Sequence, residues 1–155
     1  MGYRPLADAA RARALFDFVA VPWPEPSTFA WGAFIAGDGG ERLIGALAAE
    51  RQGTAAMFSG PVIDAREVSA REGAAPLDPI EVASQLVAAA MDHATALGAA
   101  TLYTRPQGLD RVWVRFGFIP VPEVALPPAL AGRPGAGLYA WRGGTALWTL
   151  RELTG

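Results

Sequence analysis

From Asp78 to Gly98 the chain carries one unbroken amphipathic pattern, which restricts the fold more than any other segment. Ile80, Ala83, Leu86, Val87, Ala90, Met91, Ala94 and Leu97 recur at the period of a helix with a single apolar face. Asp78 suits the N-cap, and Pro79 suits the first helical position, where its missing N–H costs nothing. Glu81 completes a capping-box-like start, and Gly98 ends the helix. An apolar run over residues 55–63 precedes this helix and a short one over 99–104 follows it. Strand, long helix and strand at this spacing predict a right-handed crossover between two parallel strands.

The remainder reads as antiparallel structure around that crossover. Residues 3–6 are expected as a first strand. Asp8 then caps a helix to about Val19, with Ala12, Leu15, Phe16 and Val19 on its apolar face. Three prolines in VPWPEPS stop it. Strands follow at 29–36 and 42–51, joined by Gly37-Asp38-Gly39-Gly40, and Gln52-Gly53 turns the chain into the run at 55–63. Gly60-Pro61 interrupts that third strand, because proline cannot donate to a ladder, so a bulge or splayed edge is expected there. Residues 64–77 are polar and read as loop. A short helix is expected at 108–116, ended by Gly117, then a strand at 118–121 and a Pro/Gly-rich loop at 122–137. Residues 138–142 and 145–151 would pair as a hairpin across Gly143-Gly144. The fold class is α/β in the α+β sense. It has a central, mostly antiparallel mixed sheet with one parallel β-α-β crossover, helices on both faces and an extra C-terminal hairpin. No internal repeat or linker divides residues 1–155, so one domain is expected.

Composition enters through what it excludes. The chain has no cysteine, hence no disulfide framework, zinc-thiolate site or thiol nucleophile. All thirteen basic residues are arginine, so Schiff-base chemistry and a Walker-type phosphate loop are excluded with lysine. His93 is the single histidine, too few for a multi-histidine metal site. A formal charge of -2 gives no electrostatic reason to expect nucleic acid or an anionic membrane as partner. Arginines and aspartates run through the first residues, unlike a signal peptide, and Leu6 stands where myristoylation wants Ser or Thr. No stretch reaches the roughly eighteen apolar residues that cross a bilayer. A cytoplasmic location is the expectation.

Two stretches, VASQLVAAAMDHATALGAATLYT and DRVWVRFGFIPV, resemble parts of the GNAT N-acetyltransferase superfamily. The first looks like its long helix ending in Leu-Gly before the fifth strand, and the second like its short helix ending in Gly-Phe before the sixth. The resemblance spans residue 3 to about residue 142. It implies an acyl-CoA-dependent N-acyltransferase acting on a small-molecule or peptide amine, with acetyl-CoA as donor. Amine and thioester would be aligned for direct attack, the protein supplying proximity, backbone polarisation and a base. In this reading the fourth strand splays from the fifth and its backbone pairs with the pantetheine arm, which assigns Ser59, Gly60, Val62 and Ile63 to the donor. The family's loop Gln/Arg-x-x-Gly-x-Gly/Ala falls on Asp78, Glu81 and Ala83, and only Ala83 fits. Asp78 and Glu81 put carboxylates where phosphates would sit, and Pro79 lacks a donor. Arg66, Arg71 or Arg105 would have to compensate. The family's asparagine falls near Gln107, and its tyrosine, which protonates the leaving thiolate, falls on Trp113, whose indole is a poor acid. The alternative function is a catalytically inactive GNAT-fold interaction or ligand-binding module.

Other residues read more simply. His93, beside the apolar stripe, is expected as a packing histidine. Ser59 and Ser84 lack a nucleophile-elbow motif. Asp64, Glu67 and Glu50 are candidate bases that read first as solvated carboxylates. Trp23 and Trp31 either line a substrate pocket or close the core. Tyr139, Trp141, Leu147 and Trp148 make the C-terminal hairpin apolar, from which a homodimer is expected.

Overall fold

A computed structural model describes residues 2–24, 29–37, 40–64, 78–106, 109–133, 135 and 137–143. Element order is β1 (Gly2–Pro5), α1 (Ala9–Phe18), β2 (Phe29–Gly37), β3 (Gly40–Gln52), β4 (Ala55–Ile63), α2 (Pro79–Ala96), β5 (Thr101–Thr104), α3 (Asp110–Arg115), β6 (Ile119–Pro120) and β7 (Tyr139–Arg142). Two short 3-10 turns, Glu123–Ala125 and Pro128–Leu130, lie between β6 and β7. The strands form one sheet in the order β1-β2-β3-β4-β5-β7-β6. Its one parallel pair, β4 with β5, is the pair α2 connects, and the other pairs are antiparallel. The mixed sheet expected from the sequence is thus observed.

α2 forms for the reasons its sequence carries. The Asp78 carboxylate accepts from the Ile80 N–H at 2.9 Å, Pro79 opens the helix, and the left-handed Gly98 (φ +101) closes it. The Glu81 carboxylate accepts instead from the Gln85 side chain at 3.1 Å. Val82, Ala83, Leu86, Val87 and Ala90 are essentially inaccessible and lie against Ile44, Leu47 and Phe58 of the sheet. Each large aliphatic chain buried this way contributes roughly 1.5–3 kcal/mol, so this face alone outweighs any propensity term. α1 covers the opposite face, where Phe16 packs with Ala46, Ala48 and Val62. Its N-cap Asp8 accepts from the Ala10 N–H at 2.9 Å. Helices therefore sit on both faces, as the strand alternation requires.

The long segment between β6 and β7 closes the remaining apolar area. Leu126, Leu130 and Leu138 cover Met57, Tyr103 and Ala140. Two ion pairs fasten it. Arg105, just past β5, makes a bidentate pair with Glu123 at 2.6 and 2.5 Å, and Arg133 makes one with Glu50 of β3 at 2.5 and 2.6 Å. The Arg105 guanidinium, through its hydrogen bonds above all, holds the Glu123 carboxyl below its ordinary pKa. A depressed folded pKa stabilises the fold fully above the ordinary glutamate value of about 4.3. That contribution is lost as pH falls from there through the lower, folded value. Amide exchange around Glu123–Ala125 should therefore accelerate in that acid window. Glu123→Gln should remove the acid-dependent increment, and an unchanged increment in that variant would rule out this pair as its source.

One expectation is corrected at this level. Glu50 and Asp64 are buried, 4% and 8% exposed, rather than solvated. As to the two alternatives for Trp31 and Trp23, both residues pack on the core, and Trp31 also edges an apolar recess. Trp31 lies within the α2-side cluster, and half-buried Trp23 stands edge-on to Phe16 at 5.1 Å. The hairpin arm expected at 145–151, with Leu147 and Trp148, falls outside the described residues, as do Glu67, Arg66, Arg71 and Gln107.

Candidate active site at the β4–β5 fork

β4 and β5 pair from Ala55 opposite Thr101 to Phe58 opposite Thr104, and there the pairing stops. The Thr104 hydroxyl donates to the Phe58 carbonyl at 3.1 Å, marking the last rung. Beyond it β4 continues to Ile63 with β3 as its partner among the described residues: Ser59 faces Ala48, Val62 faces Ala46, and Ile63 faces Gly45. Between these pairs Gly60 and Pro61 oppose the single residue Leu47. This is the bulge expected from the Gly-Pro step. Gly60 has φ +103, and a Cβ there would meet the Ala46 carbonyl and the Phe16 ring at 3.3 Å. Glycine is required for both reasons. β4 is bulged at this point and β5 ends, so among the described residues the two strands are not paired beyond this fork.

Several of the expected site residues lie on the elements around the fork, Val62 packing on the α1 face and Ile63, Ala83 and Trp113 on the α2 face. Ser59, Gly60 and Val62 lie along the unpaired side of β4, all buried, with half-buried Ile63 at its end. Ala83, inaccessible in the first turns of α2, shares a cluster with Ile63 and Ile80. Trp113 of α3 stacks on Phe58 at 6.0 Å with 22° between the planes, and meets Phe118 edge-on at 4.9 Å. It is wholly buried, and its indole N–H has no hydrogen-bond partner among the described residues. The aromatic at the tyrosine position is thus packed beneath the last β4–β5 rung.

The start of α2 offers little to an anion. Pro79 has no N–H, the Ile80 N–H is taken by Asp78, and Glu81 adds a carboxylate to the first turn. Tyr3 of β1 lies close enough to feel that charge. Burial first, then the Glu81 carboxylate, raise its pKa. Arg105, one of the cations expected to compensate, is committed to Glu123 and to the Gly137 carbonyl. Glu50, a candidate base, is likewise held by Arg133. His93 is a packing residue, its Nδ1 accepting from the Trp31 indole N–H at 2.9 Å. The proline and alanine-rich composition hid both ion pairs, since each joins residues far apart in sequence.

No family model matches the sequence, and no curated protein matches it. Solved structures do. An acetyltransferase of the GNAT family from Staphylococcus aureus superposes with a TM-score of 0.61 at 8% identity, covering 91% of this chain and 99% of that one. Tetrahymena GCN5 gives 0.59 at 12% identity over 92% and 96%. N-acetylglutamate synthase from Neisseria gonorrhoeae, complexed with coenzyme A and L-arginine, gives 0.59 at 13% identity over 90% of this chain and 33% of its own. Likeness at these identities is likeness of fold.

Proposed function

Starting from this GNAT fold, we propose that the chain is an acyl-CoA-dependent N-acyltransferase that holds its donor along the free length of β4. The fork is the observation that carries the reading. An unpaired strand side from Ser59 to Ile63, beside a strand that has ended, presents backbone groups that an extended amide-bearing arm can pair with. Acyl transfer to an amine asks little more of a protein. Amine and thioester held in line gain from proximity, and a fixed backbone N–H polarises the thioester carbonyl. Ser59, Gly60, Val62 and Ile63 hold the arm in this reading, Ala83 allows close approach over α2, and Gln107 is the polar side chain between β5 and α3. Trp113 supports the fork by packing and donates no proton to a leaving thiolate.

The phosphates of the donor do not fit the α2 start. Each carboxylate near that helix end disfavours an anion by about 0.3–1 kcal/mol. Arg66 and Arg71 supply the nearest cations in sequence for them. The acceptor is a small-molecule or peptide amine. A second reading rests on the same region: Ser59 through Val62 are buried and α2 caps itself, which favours a GNAT-fold interaction or ligand-binding module without CoA.

Calorimetric titration of CoA and acetyl-CoA separates the two. Micromolar binding supports the enzyme; no binding at millimolar ligand overturns it in favour of the module. If phosphates approach α2, Glu81→Gly should tighten CoA about 2–5-fold, the equivalent of removing one such charge. Unchanged or weaker binding moves the phosphates elsewhere.

A further inference from the structure

Among the described residues two buried side-chain nitrogens have no hydrogen-bond partner, Nε of Arg105 and Nε1 of Trp113, and both belong to residues at the fork. Buried polar groups in folded proteins are satisfied almost without exception, so two orphans at one place call for a cause. The Trp113 indole is packed against the Phe58 and Phe118 rings. Arg105 differs, because its present partner comes from the surface.

Arg105 is the first residue beyond β5, so it stands at the rim of the fork. Met57 faces Tyr103 and Phe58 faces Thr104, and one further step of that register sets Arg105 beside Ser59. The arginine side chain keeps 10% of its surface exposed, whereas that of its partner Glu123 keeps 66%. A guanidinium offers a carboxylate two bidentate edges, one made by its two Nη atoms and one by Nε with Nη2. Glu123 takes the first, at 2.6 and 2.5 Å, and the second is left with its Nε–H unmet. The stem beneath is fixed. A Cβ at Gly135 would come within 2.5 Å of the Arg105 Cβ and carbonyl oxygen, so backbone lies directly on it. A buried, held guanidinium with an open edge suits a carboxylate. An exposed glutamate on a single 3-10 turn is a partner that leaves at little cost.

We infer that Arg105 anchors the carboxylate of a small ligand at the rim of the fork through Nε and Nη2, and that Glu123 holds this place otherwise. A carboxylate on the Nε edge satisfies the N–H that Glu123 leaves unmet. That gain lets it compete with a tethered carboxylate, whose effective concentration is in the millimolar range. The ligand class is an amino acid, its amine reaching the fork while Arg105 holds the acid. The amine half of this assignment rests on the acyltransferase reading; the carboxylate half does not.

N-acetylglycine and N-acetylglycinamide differ in the carboxylate alone, and their titration needs no CoA. By NMR the parent should bind N-acetylglycine saturably, with a shift of the Arg105 Nε–Hε resonance, and bind the amide about 10-fold more weakly. Glu123→Gln should bind the acid about 5-fold more tightly, because the internal competitor is gone. Arg105→Lys, which keeps the charge and loses the Nε edge, should bind it about 10-fold more weakly. Equal affinity for acid and amide, equal affinity in the parent and either variant, or no saturable binding to the parent at about 100 mM would overturn the inference. Binding to Glu123→Gln alone would equally overturn it, as the filling of a space that the substitution created. Failure to bind CoA with the acid still bound would strike the acyltransferase reading and leave the carboxylate site standing.

Discussion

Trp113→Ala is expected to lower the unfolding free energy by roughly 3–5 kcal/mol, among the largest effects of any single substitution in this chain. The side chain is wholly buried, stacked on Phe58 and edge-on to Phe118, so truncation empties a space bounded by α3, β4 and the start of β6. At this chain length about 2–4 °C of melting temperature is lost per kcal/mol, which thermal or urea denaturation reads easily. Trp113→Phe is the informative companion. It leaves a smaller void and removes an indole N–H that is buried without a partner, a group whose burial itself costs about 1–3 kcal/mol. The phenylalanine variant should therefore lose well under half of what the alanine variant loses. It should also leave any acyl transfer rate nearly unchanged, because the indole protonates nothing. A loss below about 1 kcal/mol for Trp113→Ala would mean that the stack beneath the fork is not formed in solution.

Arg133→Met should cost nearly as much, through charge rather than volume. Glu50 is 4% exposed, and both its oxygens are taken by Arg133, whose guanidinium also donates to the Ala131 and Ala129 carbonyls at 2.7 and 3.0 Å. Removing one partner of a buried pair leaves an uncompensated charge, which costs about 3–5 kcal/mol. The lower end applies here, since Arg133 keeps 15% of its side-chain surface and water can approach Glu50 once the arginine is gone. Glu50→Leu/Arg133→Met, which removes both charges, should recover most of the loss, because buried ion pairs are close to neutral against apolar replacements. A double-mutant cycle reads the coupling directly. If Arg133→Met alone costs under about 1 kcal/mol, the β6–β7 segment is held by Leu126, Leu130 and Leu138 rather than by this pair.

These two sites mark where reading the sequence succeeds and where it stops. The helix from Pro79, its Asp78 cap and its Gly98 stop were legible because they follow from neighbours along the chain: a carboxylate two residues from an amide, an apolar residue every third or fourth position. The meander and the bulge at Gly60-Pro61 were legible for the same reason. β6 proved shorter than expected, Ile119–Pro120, although the Val121 N–H still donates to the Leu138 carbonyl at 2.9 Å. Glu50 and Asp64 were misjudged as solvated, since no local pattern marks a carboxylate whose cover arrives from another part of the chain. Arg133 stands 83 residues from Glu50, and Arg105 stands 18 from Glu123.

The sequence by itself determined the mixed sheet, its single parallel crossover, both helix faces and the place where β4 must bend, since each rests on periodicity or on the fixed geometry of proline and glycine. Only the tertiary structure decided that β5 ends opposite Phe58, so that among the described residues β4 runs on with β3 as its partner. It also decided that Trp113 lies beneath that last rung and that Arg105 and Arg133 are already engaged. Each of these is a meeting of distant segments, fixed by which apolar surfaces exclude water together and by which charges must be matched once they have.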